Sequence, residues 1–360
     1  MNSRLLTLLI IVVLTGCKPA NDAQALQADY LYRLANATAV EINADSASSK
    51  DKLYRMPARR DRVSEIPDLR ISLLDLIIDV HRCPALQIQI SDRNSILGKQ
   101  MLASNRLGYE GDLLREIAAC QQSLTKTADN DFNQQLSQLA IQKRAQLPQV
   151  YWNALNASPE FEQYLRFAPT PLPIDVTESD PGLDALAQLV SIGQKLPEQL
   201  PPGSHELDPL FFALLATEQG GQLISSLSTL TQTLNQGSMA LEERQMQRPI
   251  CPHQRATRQA RILQNVFVKF YAGGLQPYLA KVDQRGKRWS ASLLQMSEIE
   301  QIPPTLQQYL LTLAGPDNSL WTQFEQATKR HVKAWQDTLK SCGLAPGQSG
   351  WVGAADKAAQ

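Results

Sequence analysis

Apolar residues along most of this chain recur every three or four residues, which is the spacing of one face of an α-helix. Between Leu223 and Leu241 the leucines step by four, three and four residues, and Gly237 continues the seam. This seam is short for an intermolecular coiled coil, so we expect it to pair within the chain, with the helix that follows it. The alternating stretch 86–91 is not accompanied by a second strand pattern. The pattern therefore predicts an all-α fold.

The same periodicity predicts the positions of individual helices. They are expected over 26–39, 71–81, 92–103, 111–123, 132–155, 159–167, 183–196, within 209–246, and over 257–282, 304–314 and 319–342. Pro148 is expected to kink or break its helix, and Gly273, Gly274 and Pro277 are expected to bend or split another.

Proline-rich and small-residue segments predict how these helices are grouped. Residues 168–182 contain four prolines and predict a link between an N-terminal helical half, 26–167, and a C-terminal helical half, 183–342. The small residues of 343–360 predict a disordered tail.

The first seventeen residues have the pattern of an export signal that ends in a lipid attachment site. Arg4 precedes an apolar run from Leu5 to Leu14. Ten helical residues rise about 15 Å, half of what a bilayer core requires, so the run predicts a signal peptide over 1–16. The following Leu14-Thr15-Gly16-Cys17 resembles the bacterial lipobox, in which the cysteine thiol receives a diacylglyceryl group. The alternative is an ordinary signal peptide with a chance cysteine.

If the lipobox rule applies, Cys17 becomes the acylated first residue of the mature chain, and 17–25 becomes a lipidated tether. Two or more acyl chains anchor a protein stably, whereas one does not. Lipoproteins retained in the inner membrane usually carry Asp after the cysteine, and this chain carries Lys18. We therefore expect a protein anchored to the periplasmic face of the outer membrane.

Composition excludes several classes of protein. The chain has 35 Lys+Arg and 35 Asp+Glu residues, a formal net charge of zero and 43% hydrophobic residues. A nucleic-acid-binding protein normally shows a basic excess or stripe, and a largely disordered chain shows low hydrophobicity and high net charge. We therefore expect a folded protein without a nucleic-acid partner.

Four cysteines remain besides Cys17. They are Cys83, Cys120, Cys251 and Cys342. An even number in an oxidising periplasm predicts two disulfides. Four cysteines allow three pairings, and we favour Cys83–Cys120 with Cys251–Cys342 because each pair then lies within one half of the chain. The alternative is buried free thiols, and a metal site at Cys251-Pro252-His253 is less favoured because no second ligand pair accompanies it.

The search for catalytic chemistry identifies one ionisable pair. The nucleophile-elbow, HExxH, Walker A and dinucleotide-binding motifs are missing from the sequence, and no cofactor is predicted. Asp75 and Asp79 share one face of an otherwise apolar predicted helix. They could form an acid/base dyad, but burial against arginines such as Arg93 or Arg106 is the favoured interpretation. His331, one turn before Trp335, is interpreted as a core histidine.

Two polar segments are candidate binding surfaces. A basic cluster runs from Arg55 to Arg62, and it could meet anionic groups or pair with local acids. A second segment between two cysteines could form a binding surface, although capping and salt bridges explain it as well. Its candidate residues are Arg93, Asn94, Lys99, Arg106, Tyr109 and Glu110.

Several short motifs resemble those of an uncharacterised lipoprotein family of gammaproteobacteria, catalogued as domain of unknown function 3080. The residues that carry the resemblance are Cys17, Ile71-Ser72-Leu73-Leu74-Asp75, Cys83, Arg93-Asn94-Ser95, Leu97-Gly98-Lys99, Arg106-Leu107, Tyr109-Glu110, Cys120, Asn265-Val266-Phe267, Gln276-Pro277-Tyr278-Leu279, Ala334-Trp335 and Cys342-Gly343. The resemblance covers most of the mature chain and implies an envelope location, with no implied activity.

These observations predict a lipid-anchored envelope protein. The leading hypothesis is a non-catalytic lipoprotein that binds an envelope partner or ligand, with the membrane itself contacted through lipidated Cys17. The alternative is an envelope hydrolase that uses Asp75 and Asp79.

Overall fold

The computed structural model describes residues 22–42, 54–67, 80–124 and 130–352. Within these ranges the regular structure is entirely helical and two disulfides are formed. The predicted all-α class is therefore confirmed. None of the described helices has both the length and the apolar character needed to cross a membrane.

The main helices are numbered here in chain order. They are α1 (Ala23–Thr38), α2 (Pro84–Asn94), α3 (Ile96–Lys99), α4 (Ala103–Leu124), α5 (Asn130–Asn156), α6 (Pro159–Tyr164), α7 (Pro181–Gln194), α8 (Ser204–Leu215), α9 (Gln219–Gln247), α10 (Arg258–Val266), α11 (Gln276–Ser297), α12 (Pro304–Ala314) and α13 (Leu320–Ser341).

Many helix starts are set by capping side chains. The Asp22 carboxylate accepts hydrogen bonds from the Gln24 and Ala25 amides, and the Ser158 hydroxyl accepts one from Phe161. Such a cap satisfies amide groups that have no partner inside the helix. Pro159 follows Ser158 in the first turn of α6, where its missing N–H removes no helical hydrogen bond.

The central helix α9 packs most extensively on α13, at the far end of the chain. The leucines of its predicted seam, such as Leu227 and Leu234, are fully buried. The prediction of an intrachain partner is correct, but the predicted partner, the next helix, is wrong. On α13, Phe324 and Trp335 belong to the apolar stripe that faces α9. The Cys251–Cys342 disulfide joins the chain just after the C-terminal ends of the two helices.

A second, smaller core lies between α2, α4 and α5. It contains Leu86, Ile117 and Phe132, together with the Cys83–Cys120 disulfide. The main core is separate from it and extends over nearly the whole described chain, from Ala23 to Leu344. Both favoured disulfide pairings are therefore observed.

The proline-rich segment 168–182 is bound to the main core. The Leu172 amide donates to Ser226 Oγ over 2.9 Å, and the Tyr278 hydroxyl donates to the Leu172 carbonyl over 3.0 Å. Leu172 itself is fully buried. The main core contains side chains from both sides of this segment, so packing is continuous across the predicted link.

The helix predicted over 92–103 is wrong, because the chain is interrupted twice there. Ser95 is extended and caps α3, accepting a hydrogen bond from the Gly98 amide. A Cβ atom on Gly98 would lie 2.0 Å from the Asp92 carbonyl oxygen, so only glycine permits this approach of the backbone. The alternating stretch 86–91, which was not expected to form a sheet, lies within α2.

At the two sites where a kink or bend, or else a break, was expected at prolines and glycines, the break is wrong, because the chain stays helical. Helix α5 continues through Pro148, since Leu147 and Tyr151 on either side are buried and their packing offsets the lost hydrogen bond. Residues 258–297 stay helical throughout, and a π-helix, Phe267–Leu275, occupies the site of the predicted bend or split.

The predicted disordered tail packs on the body over its first ten residues. Leu344 is fully buried, and the Gly350 carbonyl accepts a hydrogen bond from Arg261. Trp351 contacts the Phe267 ring at a centroid distance of 6.1 Å. Residues 353–360 lie outside the described part of the chain.

Candidate functional site

A mostly apolar groove of about 430 Å³ opens between the segment 54–67, the start of α4 and the α5–α6 turn. Its volume lies in the range of small-molecule sites, which is about 300–1,000 Å³. The apolar side chains that line it include Val63, Ile66, Met101, Leu102, Val150 and Pro159.

One wall of the groove is a segment without regular secondary structure, residues 63–67 with Arg62 before them, held on α5 by two asparagines. Asn153 accepts from the Ser64 amide over 2.9 Å and donates to the Ser64 carbonyl over 2.7 Å. One turn further, Asn156 donates to the Arg62 carbonyl over 2.8 Å. The two amides thus occupy the backbone groups of the segment that face α5.

Arg62 fixes the same wall from inside the protein. It is 1% exposed. Its guanidinium donates to the carbonyl oxygens of Pro57 and Asn156 and to the Glu162 carboxylate at 2.8 Å. A buried guanidinium is tolerated when its N–H groups are paired in this way. Arg62 of the predicted basic cluster is therefore a structural residue.

The other polar side chains of the lining are also engaged. Ser158 Oγ caps α6, and Ser104 Oγ donates to Asn105 Oδ1 over 3.3 Å. The uncharged polar side chains of the lining are thus hydrogen-bonded within the protein, and the groove offers apolar surface between them.

The charged groups at the groove are Arg59, Arg106 and Glu160. Arg59 is exposed, and no carboxylate of the described residues lies within 4 Å of its guanidinium. Arg106 Nε lies 3.4 Å from Glu110 Oε1, which also accepts a hydrogen bond from Lys143 at 2.9 Å. The lining therefore carries two positive charges and one negative charge.

Exposed apolar side chains flank the groove along the chain. Ile96, Leu97 and Leu102 are 79%, 82% and 66% exposed, and all three lie within seven residues of the chain. Single exposed apolar residues are common in soluble proteins, whereas clusters mark interaction sites. The region from α3 to the start of α4 is thus the candidate binding face of the described chain.

The predicted binding surface is divided between this face and the interior. Arg93, Asn94 and Lys99 lie at the surface of α2 and α3, where Arg93 donates to the Gly98 carbonyl. Tyr109 and Glu110 are buried, and burial raises the pKa of the Tyr109 hydroxyl. Arg106 is the member of the predicted set that lines the groove.

The remaining predicted site residues fall into two groups. Asp75, Asp79 and Cys17 lie outside the described residues. Among the described residues, no group of three or more potential metal-binding side chains is assembled, and His253 sits beside the Cys251–Cys342 disulfide.

His331 is a core histidine, as predicted. Its Nε2 lies 2.6 Å from the Tyr30 hydroxyl and 3.1 Å from Trp335 Nε1, and its Nδ1 lies 3.1 Å from Ser238 Oγ. The indole N–H can only donate, so Nε2 accepts and the ring proton is assigned to Nδ1. Burial lowers the pKa of His331 to about 3, so the ring is neutral at physiological pH.

Sequence reasoning missed most of the groove. The basic cluster pointed to Arg59, and the segment after Cys83 pointed to Arg106. Asn153 and Asn156 had a local signal, since they lie on one face of α5 at a spacing of three residues, but nothing in the sequence connects them to residues about 90 positions earlier.

A model of the family described as protein of unknown function (DUF3080) matches residues 27–346. The matched range includes both disulfides and every residue of the groove. No curated protein and no solved structure matches the chain significantly. The match covers well over half of the chain, and on this ground the chain belongs to the DUF3080 family.

Proposed function

We propose that the chain is a non-catalytic lipoprotein, anchored through Cys17 to the periplasmic face of the outer membrane, that binds an envelope partner or ligand at the groove. The observation that carries the binding role is the groove itself, with two arginines at an apolar lining, the strongly exposed Leu102 within that lining, and the exposed Ile96 and Leu97 a few residues before it.

The envelope location is supported by the two disulfides. Both pairs have Cα–Cα distances typical of disulfides, 5.5 Å for Cys83–Cys120 and 5.2 Å for Cys251–Cys342. Disulfides persist in oxidising compartments and are rare in the cytosol. The pairs agree with export directed by residues 1–16.

The position of the first described helix supports a short anchor. Asp22 caps α1 five residues after Cys17. Five residues span at most about 18 Å when fully extended. A lipidated Cys17 would therefore hold the first turn of α1 close to the bilayer surface, with little freedom for the body to move away.

Acyl labelling tests the anchor. In cells fed a clickable palmitate analogue, the wild-type chain should become labelled and fractionate with membranes. Cys17→Ser removes the thiol and should abolish the label and release the chain from the membrane fraction. Retention of the label in Cys17→Ser would contradict the anchor.

Lys18→Asp is the matched sorting variant. It keeps the cysteine, so the label should remain, while the chain should move from outer-membrane to inner-membrane fractions. An unchanged distribution would contradict the outer-membrane assignment and leave the anchor intact.

Site-specific crosslinking in cells tests the binding role. A photoreactive amino acid at position 102, in the groove lining, should form an adduct of defined mass. Position 246 is the matched control, since Met246 is also strongly exposed but lies at the end of α9. Equal crosslinking at both positions, or none at 102, would contradict a binding site at the groove.

The hydrolase alternative depends on Asp75 and Asp79, which lie outside the described residues. It stays a prediction, and loss of activity on an envelope substrate in a folded Asp75→Asn variant would support it.

A further inference from the structure

We propose that the groove binds a single-chain amphiphile, with its anionic headgroup at Arg59 and Arg106 and its alkyl chain along the apolar lining. The inference rests on the binding role proposed above and names the class of ligand. It follows from three properties of the groove, which are its apolar walls, its occupied polar groups and its unbalanced charge.

The apolar walls favour an alkyl chain. The apolar lining comes from three parts of the chain: Val63 and Ile66 from the segment 54–67, Met101 and Leu102 from the residues before α4, and Val150 from α5. Each methylene of a ligand that is buried here leaves water, which favours binding of longer chains. Methionine adapts its shape to different apolar partners, which suits a flexible chain.

The occupied polar groups disfavour a peptide. A peptide laid beside this wall would need free backbone groups on it to pair with its own N–H and C=O groups. Both backbone groups of Ser64 are bound by Asn153, and the Arg62 carbonyl is bound by Asn156. An alkyl chain has no polar groups to satisfy and loses nothing against such a wall.

The charges favour an anionic headgroup. Arg59 has no carboxylate partner within the described ranges. Arg106 Nε makes no hydrogen bond but lies 3.4 Å from the buried Glu110 carboxylate, whose charge is shared with Lys143. Guanidinium groups bind carboxylate and phosphate with paired hydrogen bonds. Glu160 is the one acid of the lining and opposes an anion, so the positive excess is a single charge.

Calorimetric titration tests the proposal. The mature chain with Cys17→Ser is used in full, because it needs no detergent that would compete for the groove. Dodecanoate and dodecyl phosphate, below their micellar concentrations, should each bind saturably at one site. Dodecanol and inorganic phosphate should each bind at least fivefold more weakly, since each lacks one half of the ligand.

Two pairs of variants locate the site. Arg59→Gln should weaken dodecyl phosphate binding at least fivefold, and Arg60→Gln should not, because Arg60 lies outside the groove. Leu102→Gln should also weaken dodecyl phosphate binding at least fivefold, and Leu97→Gln should not, because Leu97 does not line the groove. All four side chains are exposed, so none of these changes removes a buried contact.

The outcomes separate the amphiphile proposal from the general binding role of the groove. Absence of saturable binding of either amphiphile, or equal weakening of binding by the control variants, would overturn the amphiphile proposal. Binding to phosphatidylglycerol vesicles without binding of free amphiphiles would show a membrane surface as the target and would also overturn it. A protein adduct at position 102 combined with no amphiphile binding would leave the binding role standing and reject this ligand class.

Discussion

At the scale of single residues, buried polar side chains of this protein are bonded mainly to backbone. Arg62 joins Pro57, Asn156 and Glu162, which brings together three parts of the chain. The guanidinium charge of Arg62 is removed from water, so Arg62 stabilises the fold only because its N–H groups are paired with these acceptors. The groove wall therefore depends on a residue that does not line the groove.

Replacing Arg62 should show this dependence. Arg62→Met leaves two carbonyl oxygens and a carboxylate without their donor, and we expect a loss of about 3–5 kcal/mol in the free energy of unfolding. Arg60→Met is the control, because that side chain is 88% exposed and should change stability by less than about 0.5 kcal/mol. Chemical denaturation measures both, and similar values would contradict the structural role of Arg62.

His331 makes stability depend on pH. Its pKa is about 3 in the folded chain, against 6.5 for a free side chain. Between these pH values the unfolded chain binds a proton at this histidine and the folded chain does not. The contribution of neutral His331 to the free energy of unfolding is therefore complete above pH 6.5 and is lost as the pH falls toward 3.

The size of this effect can be measured by comparison. Between pH 5.5 and pH 4, the wild-type unfolding free energy should fall by about 1.4 kcal/mol per pH unit more than that of His331→Gln. His205→Gln, at an exposed position, should keep the wild-type slope. Equal slopes in wild type and His331→Gln would show that the histidine is not buried and neutral.

At the scale of helices, the contact between α9 and α13 depends on close approach at Gly237. A Cβ atom there would lie 2.7 Å from His331 Cε1. His331 cannot move aside easily, because Tyr30 and Ser238 hold its two ring nitrogens. The glycine is thus required by the neighbouring helix, in spite of its low helix propensity.

Gly237→Ala should therefore destabilise the protein, by about 1–3 kcal/mol, as expected for overpacking of a core. Gly274→Ala is the matched control, since its added Cβ atom would make only ordinary contacts at 3.6 Å. That variant should be neutral or slightly stabilising. Thermal unfolding of both variants checks the prediction, and a stabilised Gly237→Ala would contradict the packing described here.

At the scale of the whole molecule, two cores are each closed by a disulfide. Cys251–Cys342 ties the main core across 91 positions, and Cys83–Cys120 ties the smaller core across 37. Each loop restricts the unfolded chain, and the chain-entropy model assigns roughly 4–5 kcal/mol to loops of these lengths.

Removing each pair separately should reveal which core it stabilises. The double variant Cys251→Ala/Cys342→Ala should lower the unfolding free energy by about 2–5 kcal/mol. In hydrogen exchange, protection should fall in α9 and α13 for this variant, and in α2 and α4 for Cys83→Ala/Cys120→Ala. Identical protection maps for the two variants would contradict two separately closed cores.

The sequence was sufficient for the fold class and the core position of His331, and it favoured, without deciding, the disulfide pairing that is observed. Helical periodicity is a local property, visible within a few turns, and the spacing of four cysteines in two halves limits their pairing. Capping residues such as Asp22 and Ser158 likewise act on amides only two or three positions away.

The groove and the partner of α9 were not predictable in this way. Arg62 meets Glu162 across 100 positions, Ser64 meets Asn153 across 89, and Ser238 meets His331 across 93. Periodicity shows that a helix has an apolar face but not which other face covers it. That choice depends on the complementary shapes and polar partners of surfaces far apart in the chain, which come together only when the whole molecule packs.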